Sequence, residues 1–366
     1  MLTILLSLQC ASCVVYARIF YFNIPSLAAA NYFDHRPVQA SSRPLPFERR
    51  RPEAAFPLRR SRSHTYPTFE ALIAKNDTRA LLVLHHDVIV YERYFGEVTA
   101  ETRLPAFSIS KTFAAALVGC ALQDGLIGSV QQRLVEFVPA LSESPGYPGI
   151  TLDHLLRMTS GIDFEEESNA GAVLYYTTDL RSRMHTYDVT RPPGAHYQYG
   201  SINVQLLWEV LRRRLGQRTV ASYFEQRIWD ALGAERPAAW DLDSQENGVE
   251  KLASGLSATT RDYARLGVLF QHRGRFGDRQ VISEQWVQDT LALDPVAGVV
   301  RTTDGDVRRG RYQWFWTLDN CCYFAKGYNG QYIFVDRVHD MVVVRFGEGY
   351  GDVDWPSLFT KMAAAL

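Results

Sequence analysis

The feature that most constrains the fold is the location of the β-rich segments, because they occur toward both ends of the chain. Residues 80–95 contain two runs of aliphatic and β-branched side chains around a His-His-Asp segment, which is typical of a β-hairpin. Four more strands are predicted before a final helix, at 314–318, 323–325, 331–335 and 341–346. Helical patterns fill much of the sequence in between. This order predicts an α+β fold in which a helical subdomain lies beside an antiparallel sheet.

Composition excludes several classes of function. The chain has 366 residues, of which 46% are hydrophobic and 22% charged, and its net charge is −1 at pH 7. A chain this close to neutral has no overall attraction to nucleic acid, so no nucleic-acid partner is expected. The five cysteines are not spaced like zinc ligands, and the two histidines at 85–86 are interpreted as part of a turn. Neither a metal nor another cofactor is therefore expected.

Two segments precede the predicted globular domain at residues 67–366. Residues 1–30 are largely apolar and end in Ala28-Ala29-Ala30, which is typical of a leader cleavage site, although the basic region of a leader is missing. We interpret this segment as a leader or membrane anchor and expect an exported, periplasmic or membrane-attached protein. A packed N-terminal helix in a cytoplasmic protein is the open alternative. Residues 31–66, rich in Pro and Arg, are predicted to form an extended arm over the domain surface.

The strongest local pattern is a serine and a lysine three residues apart, Ser108 and Lys111, at the start of an alanine-rich apolar run. That run has helical composition and is predicted to stop near Gly125. Residues three apart share a helix face, so the lysine lies next to the hydroxyl. A lysine in a dry cleft can act as the base that a serine nucleophile needs. The backbone N–H of Ser108, unpaired at the helix start, is a candidate oxyanion donor.

Further ordered blocks follow along the chain. Thr151 is predicted to cap a short helix that ends at Gly161. Residues 165–190 are predicted to form an irregular cap over a cleft, and the three glutamates at 165–167 are interpreted as solvated. A Pro-Gly turn at 193–194 leads into a helix, and residues 255–270 are predicted to form one capped amphipathic helix.

Taken together, these blocks resemble the serine β-lactamase and penicillin-binding-protein superfamily, in particular its class C-like branch of esterases and 6-aminohexanoate-dimer hydrolases. The resemblance covers roughly residues 31–366. It rests on five ordered segments at 107–111, 155–161, 193–201, 255–262 and 327–332. It implies a β-lactamase/transpeptidase-like fold, with the active site between the sheet and the helical subdomain.

The resemblance also implies roles for individual residues. Ser108 would be the acylated nucleophile and Lys111 its general base. Tyr199 matches the family tyrosine that relays protons between the nucleophile, the lysine and the leaving group. Ser201 stands where penicillin-processing enzymes have asparagine, which favours the branch that cleaves esters and amides.

The third family motif departs from the usual K-T-G or H-T-G. Ala325-Lys326-Gly327 takes its place, and Lys326 is predicted to point away from the cleft because successive side chains of a strand face opposite sides. The backbone N–H of Tyr328 is assigned as the second oxyanion donor beside that of Ser108, with Gln331 as the alternative. The residues predicted to bind substrate are Ser201, Gly327, Asn329, Gly330 and Gln331.

The expected activity is that of a serine hydrolase that forms an acyl-enzyme on Ser108 and cleaves a small ester or a linear amide. Two alternatives stay open. One is β-lactamase or D-Ala-D-Ala carboxypeptidase activity, and the other is a sensor that binds a ligand in the same cleft without turnover. The sequence leaves the oligomeric state open.

Overall fold

The computed structural model describes residues 11–22, 25–245, 247–302 and 305–366. Its α-helices are α1 (Ala11–Phe22), α2 (Phe69–Lys75), α3 (Ile109–Gln123), α4 (Leu134–Phe137), α5 (Leu152–Leu156), α6 (Asn169–Tyr176), α7 (Leu180–Arg183), α8 (Ser201–Arg214), α9 (Val220–Phe224), α10 (Thr260–Gln271), α11 (Glu284–Leu291) and α12 (Trp355–Ala363). Its strands are β1 (His35–Val38), β2 (Thr78–His85), β3 (Val88–Tyr94), β4 (Leu104–Pro105), β5 (Ala238–Asp241), β6 (Leu256–Ala258), β7 (Arg275–Phe276), β8 (Arg279–Gln280), β9 (Val299–Thr302), β10 (Gly305–Arg309), β11 (Phe315–Trp316), β12 (Cys322–Gly327), β13 (Gln331–Asp336) and β14 (Met341–Gly347).

The main sheet has eight strands in the order β3-β2-β14-β13-β12-β11-β10-β9, all antiparallel to their neighbours. The hairpin β2–β3 pairs with the last strand, since Val83 lies opposite Val343 in the register. The two β-rich ends of the sequence therefore form one sheet, and the predicted α+β fold is confirmed.

Both faces of this sheet are buried, because alternate side chains along its strands pack against different helices. Leu82 and Val344 belong to the larger core, on the side of α3 and α10. Leu81 and Val343 face the opposite side, where they pack with α2 and α12. Apolar residues on both sides of each strand explain why these segments read as continuous aliphatic runs. The helical subdomain is built on the α3 side, around α5 and α8.

A second, four-stranded sheet in the order β1-β5-β6-β4 was not predicted. The prediction of one helix over 255–270 is wrong at its start, because residues 256–258 form β6 between β4 and β5. The Thr259 hydroxyl accepts a hydrogen bond from the backbone N–H of Asp262 and so caps α10, which begins only at Thr260.

The arm at 31–66 is joined to the domain along its length. Its strand β1 pairs with β5, the ring of Phe56 is buried in the smaller core, and Arg49 forms an ion pair with Glu92 of β3 at 2.9 Å. The arm therefore contributes to the folded domain rather than lying loosely over it.

Helix α1 packs against α6, where Val15 is buried beside Phe33 and Tyr176. Tyr16, Phe20 and Tyr21 on the same helix are exposed. Within the part of the chain that the structure describes, no helix is long and apolar enough to cross a membrane. Residues 1–10 of the predicted leader lie outside the described residues, and the leader or anchor stays a prediction.

The Glu92 carboxylate, on β3 of the main sheet, forms ion pairs with an arginine of the arm and an arginine of α10. Its carboxylate accepts hydrogen bonds from Arg261 at 2.7 and 2.9 Å, from Arg49 at 2.9 Å and from the Tyr94 hydroxyl at 2.7 Å. Burial by itself raises the pKa of Glu92, but the donors and the charges of the two arginines outweigh it and hold the pKa below its usual value. The ionised carboxylate is therefore favoured by folding.

We predict that Glu92→Gln lowers the free energy of unfolding by about 2 kcal/mol at neutral pH, because Arg261 loses its ion-pair partner and Arg49 keeps only Glu53. A carboxyl whose pKa is lowered by folding stabilises the protein above its unfolded pKa, and that stabilisation is lost as the pH falls through the folded value. The difference from wild type, measured by urea unfolding, should therefore shrink in acid. Glu101→Gln, at an exposed carboxylate 3.8 Å from Arg236, is the control and should change stability little. A pH-independent effect of Glu92→Gln would contradict this account.

Candidate active site

Ser108 lies at the N-terminus of α3, next to a residue in an unusual conformation. Phe107 adopts a φ of 47°, which a bulky side chain rarely does. The Ser108 hydroxyl makes no capping bond to its own helix. It instead contacts the side chains of Lys111 and Tyr199, and such a strained turn beside a reactive hydroxyl is a common property of functional sites.

Lys111 is 1% exposed and lies one turn after Ser108 on α3. Its Nζ donates to the Ser108 Oγ at 3.0 Å and to the backbone carbonyl of Ala253 at 2.9 Å. The same nitrogen lies 5.1 Å from the centre of the Tyr199 ring. The amine is thus held against the hydroxyl and is almost completely buried.

Tyr199 completes this contact from the start of α8. Its hydroxyl donates to the Ser108 Oγ at 2.8 Å. The segment before it is fixed by backbone bonds from Gln198 N to the Met158 carbonyl at 2.9 Å and from Gly194 N to the Thr159 carbonyl at 2.7 Å. The structure therefore brings together the three residues predicted to be catalytic.

The end of β12 approaches the segment before Ser108 very closely. A Cβ placed on Gly327 would lie 2.4 Å from the Ala106 carbonyl oxygen, so only glycine fits there. Tyr328 follows directly, and its ring meets that of Phe107 edge-on, with centroids 5.9 Å apart. This places Tyr328 beside Ser108, on a wall of the same cavity.

Three predicted substrate-binding residues are not among those that line the cavity, and their role in binding substrate stays a prediction. The Gln331 side chain is fully buried and bonds to the backbone of Gly347, because Gln331 is already paired within the sheet. It is therefore not placed to act as the alternative oxyanion donor. Asn329 donates to the Pro25 carbonyl at 2.8 Å, and the Gly330 carbonyl accepts from Arg345.

Ser201 lies on the cavity wall, bound to a glutamate that was interpreted as solvated. The Glu166 carboxylate accepts from the Ser201 backbone N–H at 2.6 Å and from its Oγ at 2.5 Å. The interpretation of Glu166 was wrong, because the N-terminus of α8 favours a negative charge and supplies a free N–H donor. Ser201 therefore has its hydroxyl engaged by a carboxylate of this chain.

Lys326 borders the cavity, but its ammonium lies over aromatic rings, 4.7 Å from the centre of Tyr350 and 5.8 Å from that of Tyr332. Lys326 pairs with Tyr332 in the β12–β13 register, so both side chains lie on the α12 side of the sheet. The expected direction of Lys326, away from the α3 side, agrees with this register.

Ser108 opens into a cavity of about 970 Å³ between the main sheet and the helical subdomain. Residues 165–190 were predicted to be an irregular cap; they do cover the cavity, but as helices α6 and α7 joined by short turns. Most of the cavity surface is apolar, with tyrosine rings on several walls. Such a cavity suits a small organic substrate.

Two buried cations on the cavity wall were missed by the sequence analysis. Lys251 donates to the Tyr175 carbonyl at 2.7 Å, and burial lowers its pKa to about 8. Arg309, on β10, is 2% exposed and bonds to Tyr197 and Gln313. Neither Lys251 nor Arg309 lies in a recognisable sequence motif, because only the folding of the chain brings these two residues to the cavity. Among the described residues, no cluster of His, Cys, Asp and Glu could hold a metal ion.

Comparison with known proteins decides the family. A model of the beta-lactamase family matches residues 69–365, most of the chain. The chain belongs to the beta-lactamase family. It is a serine hydrolase, as the sequence predicted.

Among the relatives of this beta-lactamase-family chain is the 6-aminohexanoate-dimer hydrolase of Paenarthrobacter ureafaciens. The two are 26% identical over 315 residues, which cover 81% of this chain and 77% of the relative. A Bacillus anthracis structure, provisionally named a 6-aminohexanoate-dimer hydrolase, superposes with a TM-score of 0.79 at 20% identity and covers 93% of this chain and 92% of its own. A family VIII carboxylesterase gives a TM-score of 0.65 at 16% identity, with 81% and 95% covered. These structures support the fold.

We predict that Tyr199→Phe lowers kcat by about a hundredfold or more while changing KM little, because it removes only the hydroxyl that contacts Ser108. The ring and its contact with Lys111 remain. Steady-state kinetics on an activated ester measure both constants.

Tyr187→Phe is the matched control for Tyr199→Phe, since the Tyr187 ring packs on Phe164 and lies outside the cavity lining. It should behave as wild type. A wild-type kcat for Tyr199→Phe would contradict the prediction, because it would show that the Tyr199 hydroxyl takes no part in proton transfer.

Proposed function

We propose that this serine hydrolase cleaves a small ester or a linear amide through an acyl-enzyme on Ser108. The observation that carries the proposal is the pair of contacts at the Ser108 Oγ, 3.0 Å from the Lys111 nitrogen and 2.8 Å from the Tyr199 hydroxyl. A serine hydroxyl becomes a useful nucleophile only when a base can take its proton, and both neighbours are within proton-transfer distance.

In the first half-reaction, the Ser108 Oγ attacks the substrate carbonyl carbon and its proton passes to Lys111. The carbonyl oxygen becomes an oxyanion, which the backbone N–H groups of Ser108 and Tyr328 stabilise. The C–O or C–N bond to the leaving group then breaks. Tyr199 delivers the proton to the leaving alcohol or amine and regains one from Lys111.

In the second half-reaction, a water molecule attacks the acyl carbon and gives up a proton to the same pair of residues. The Ser108–acyl bond breaks, the acid is released and the Ser108 Oγ is reprotonated. Each proton taken from a nucleophile is returned to a leaving group, so the reaction needs no redox partner.

A linear amide is the favoured substrate class for two reasons. The relative from Paenarthrobacter ureafaciens is named for the hydrolysis of a linear amide, the 6-aminohexanoate dimer. The position occupied by asparagine in penicillin-processing enzymes is Ser201, whose hydroxyl is bound to Glu166. Activity on β-lactams or D-Ala-D-Ala peptides, and ligand sensing without turnover, are the alternatives to be tested beside it.

The test is hydrolysis of a short-chain p-nitrophenyl ester by wild type and by Ser108→Ala. We predict sustained turnover by wild type and a loss of about a thousandfold or more in the variant, because the covalent route is closed. Ser110→Ala, at a buried hydroxyl that bonds to the Leu256 backbone and lies outside the cavity lining, is the matched control.

Equal rates for wild type and Ser108→Ala would overturn the assignment of the nucleophile. Release of one equivalent of product per enzyme, followed by no turnover, would favour the sensor. A following panel of linear amides, β-lactams and peptides would then rank the substrate classes by kcat/KM.

A further inference from the structure

Arg309 carries a buried charge that no carboxylate of the described residues neutralises. Its side chain projects from β10 into the wall of the cavity, and the residue is 2% exposed. Nη1 donates to the Tyr197 hydroxyl, and Nη2 donates to the Gln313 Oε1 at 3.1 Å and approaches the Met158 sulfur at 3.8 Å. All three partners are neutral. No carboxylate of the described residues forms an ion pair with this guanidinium, and burial is the only influence on its pKa.

Other buried or partly buried arginines of the chain differ from Arg309 in being paired with carboxylates. Arg157, Arg261 and Arg265 all bond to carboxylates at 2.7–2.9 Å. Burial alone lowers the pKa of the Arg309 guanidinium, with no acidic neighbour to offset it, although the group stays charged at neutral pH. For Lys251, the other buried cation of the cavity, Asp241 and Asp243 lie near enough to raise its pKa against burial.

A buried charge without a counter-ion is costly, and in proteins such charges are normally paired. The three bonds of Arg309 also leave part of its N–H donors unengaged. The group is nevertheless held firmly, since Gln313 is itself attached to α3 through its backbone carbonyl, which accepts from Thr112 at 3.3 Å. The cation is thus fixed relative to the helix that carries Ser108 and Lys111.

The position of the charge relates it to the proposed chemistry. The guanidinium carbon lies 5.8 Å from the centre of the Tyr199 ring and 4.0 Å from that of Tyr197. The hydroxyl of that Tyr199 ring contacts Ser108. A group bound beside Arg309 is therefore separated from the nucleophile by about the width of one tyrosine, a distance that a short substrate can span.

We infer that Arg309 binds a carboxylate on the substrate and so determines the specificity of the enzyme. That carboxylate supplies the counter-charge that the described residues of this part of the cavity lack. The inference rests on the proposed function and adds the substrate class, an ester or amide that also bears a carboxylate. Lys326 borders the same cavity, but unlike Arg309 it is not buried in the wall, and its ammonium lies over the rings of Tyr332 and Tyr350.

The test compares substrates that differ only in this charge. The first pair is p-nitrophenyl pentanoate and mono-p-nitrophenyl glutarate, which have acyl chains of equal length. The second is phenyl butyrate and its 4-carboxyphenyl analogue, which carry the charge on the leaving group. The readout is the ratio of kcat/KM for the anionic and the neutral member of each pair, with Ser108→Ala as the blank for spontaneous hydrolysis.

We expect Arg309→Gln to lower this ratio by at least about tenfold for one of the pairs, through KM of the anionic member, because the buried counter-charge is lost. Arg309→Lys, which keeps the charge, should retain part of the ratio. Arg308→Gln is the matched control: it removes a charge from the neighbouring position of β10, outside the cavity lining, and should leave the ratio as in wild type.

Wild-type ratios for both pairs in a folded Arg309→Gln protein would overturn the inference. If that variant does not fold, competitive inhibition of wild type decides, and glutarate should inhibit at lower concentration than its neutral diamide. Equal or weaker inhibition by glutarate would also overturn it. Failure of the proposed function is distinguishable, because it would appear as undiminished turnover of the neutral esters by Ser108→Ala.

Discussion

Burial of the Lys111 amine against the Ser108 hydroxyl is the contact on which the rest of the site depends. A lysine that is 1% exposed has little contact with solvent, so its hydrogen-bond partners come mainly from the protein. They come from three separate elements: Ser108 on α3, the carbonyl of Ala253 before β6, and the ring of Tyr199 before α8. The site can therefore form only when α3, the segment before β6 and the segment before α8 are packed together.

The fold also explains how a chain with a net charge close to zero forms a cavity lined by charged side chains. Its net charge is −1, yet Lys251 and Arg309 both line one cavity. These two cations favour negative charge that develops when a carbonyl is attacked, and burial makes the effect stronger than in water. Glu166 contributes the opposite sign at the N-terminus of α8. A substrate thus meets a polarised surface rather than a uniformly apolar one.

Sequence reasoning predicted what depends on local pattern. The main strands follow from aliphatic runs, the start of α5 from its Thr151 cap, and the pairing of Ser108 with Lys111 from their spacing, whereas Tyr199 came from the family resemblance. The predictions from sequence were wrong or incomplete where contacts between distant parts of the chain determine the structure. Residues 256–258 form a strand because β4 and β5 lie on either side, and Glu166 binds Ser201 across 35 positions. Arg309 could not be found at all, since its isolation from carboxylates is a property of the fold.

The measurement that tests the central claim most directly is the mass of the enzyme quenched during turnover of an ester or amide. The account predicts an adduct equal in mass to the acyl group, mapped by peptide digestion to Ser108, that forms and decays at rates compatible with kcat. A slowed variant such as Tyr199→Phe would make its accumulation easier to follow. An acyl adduct on another residue, or full turnover with no covalent adduct under conditions where deacylation is slow, would contradict the account.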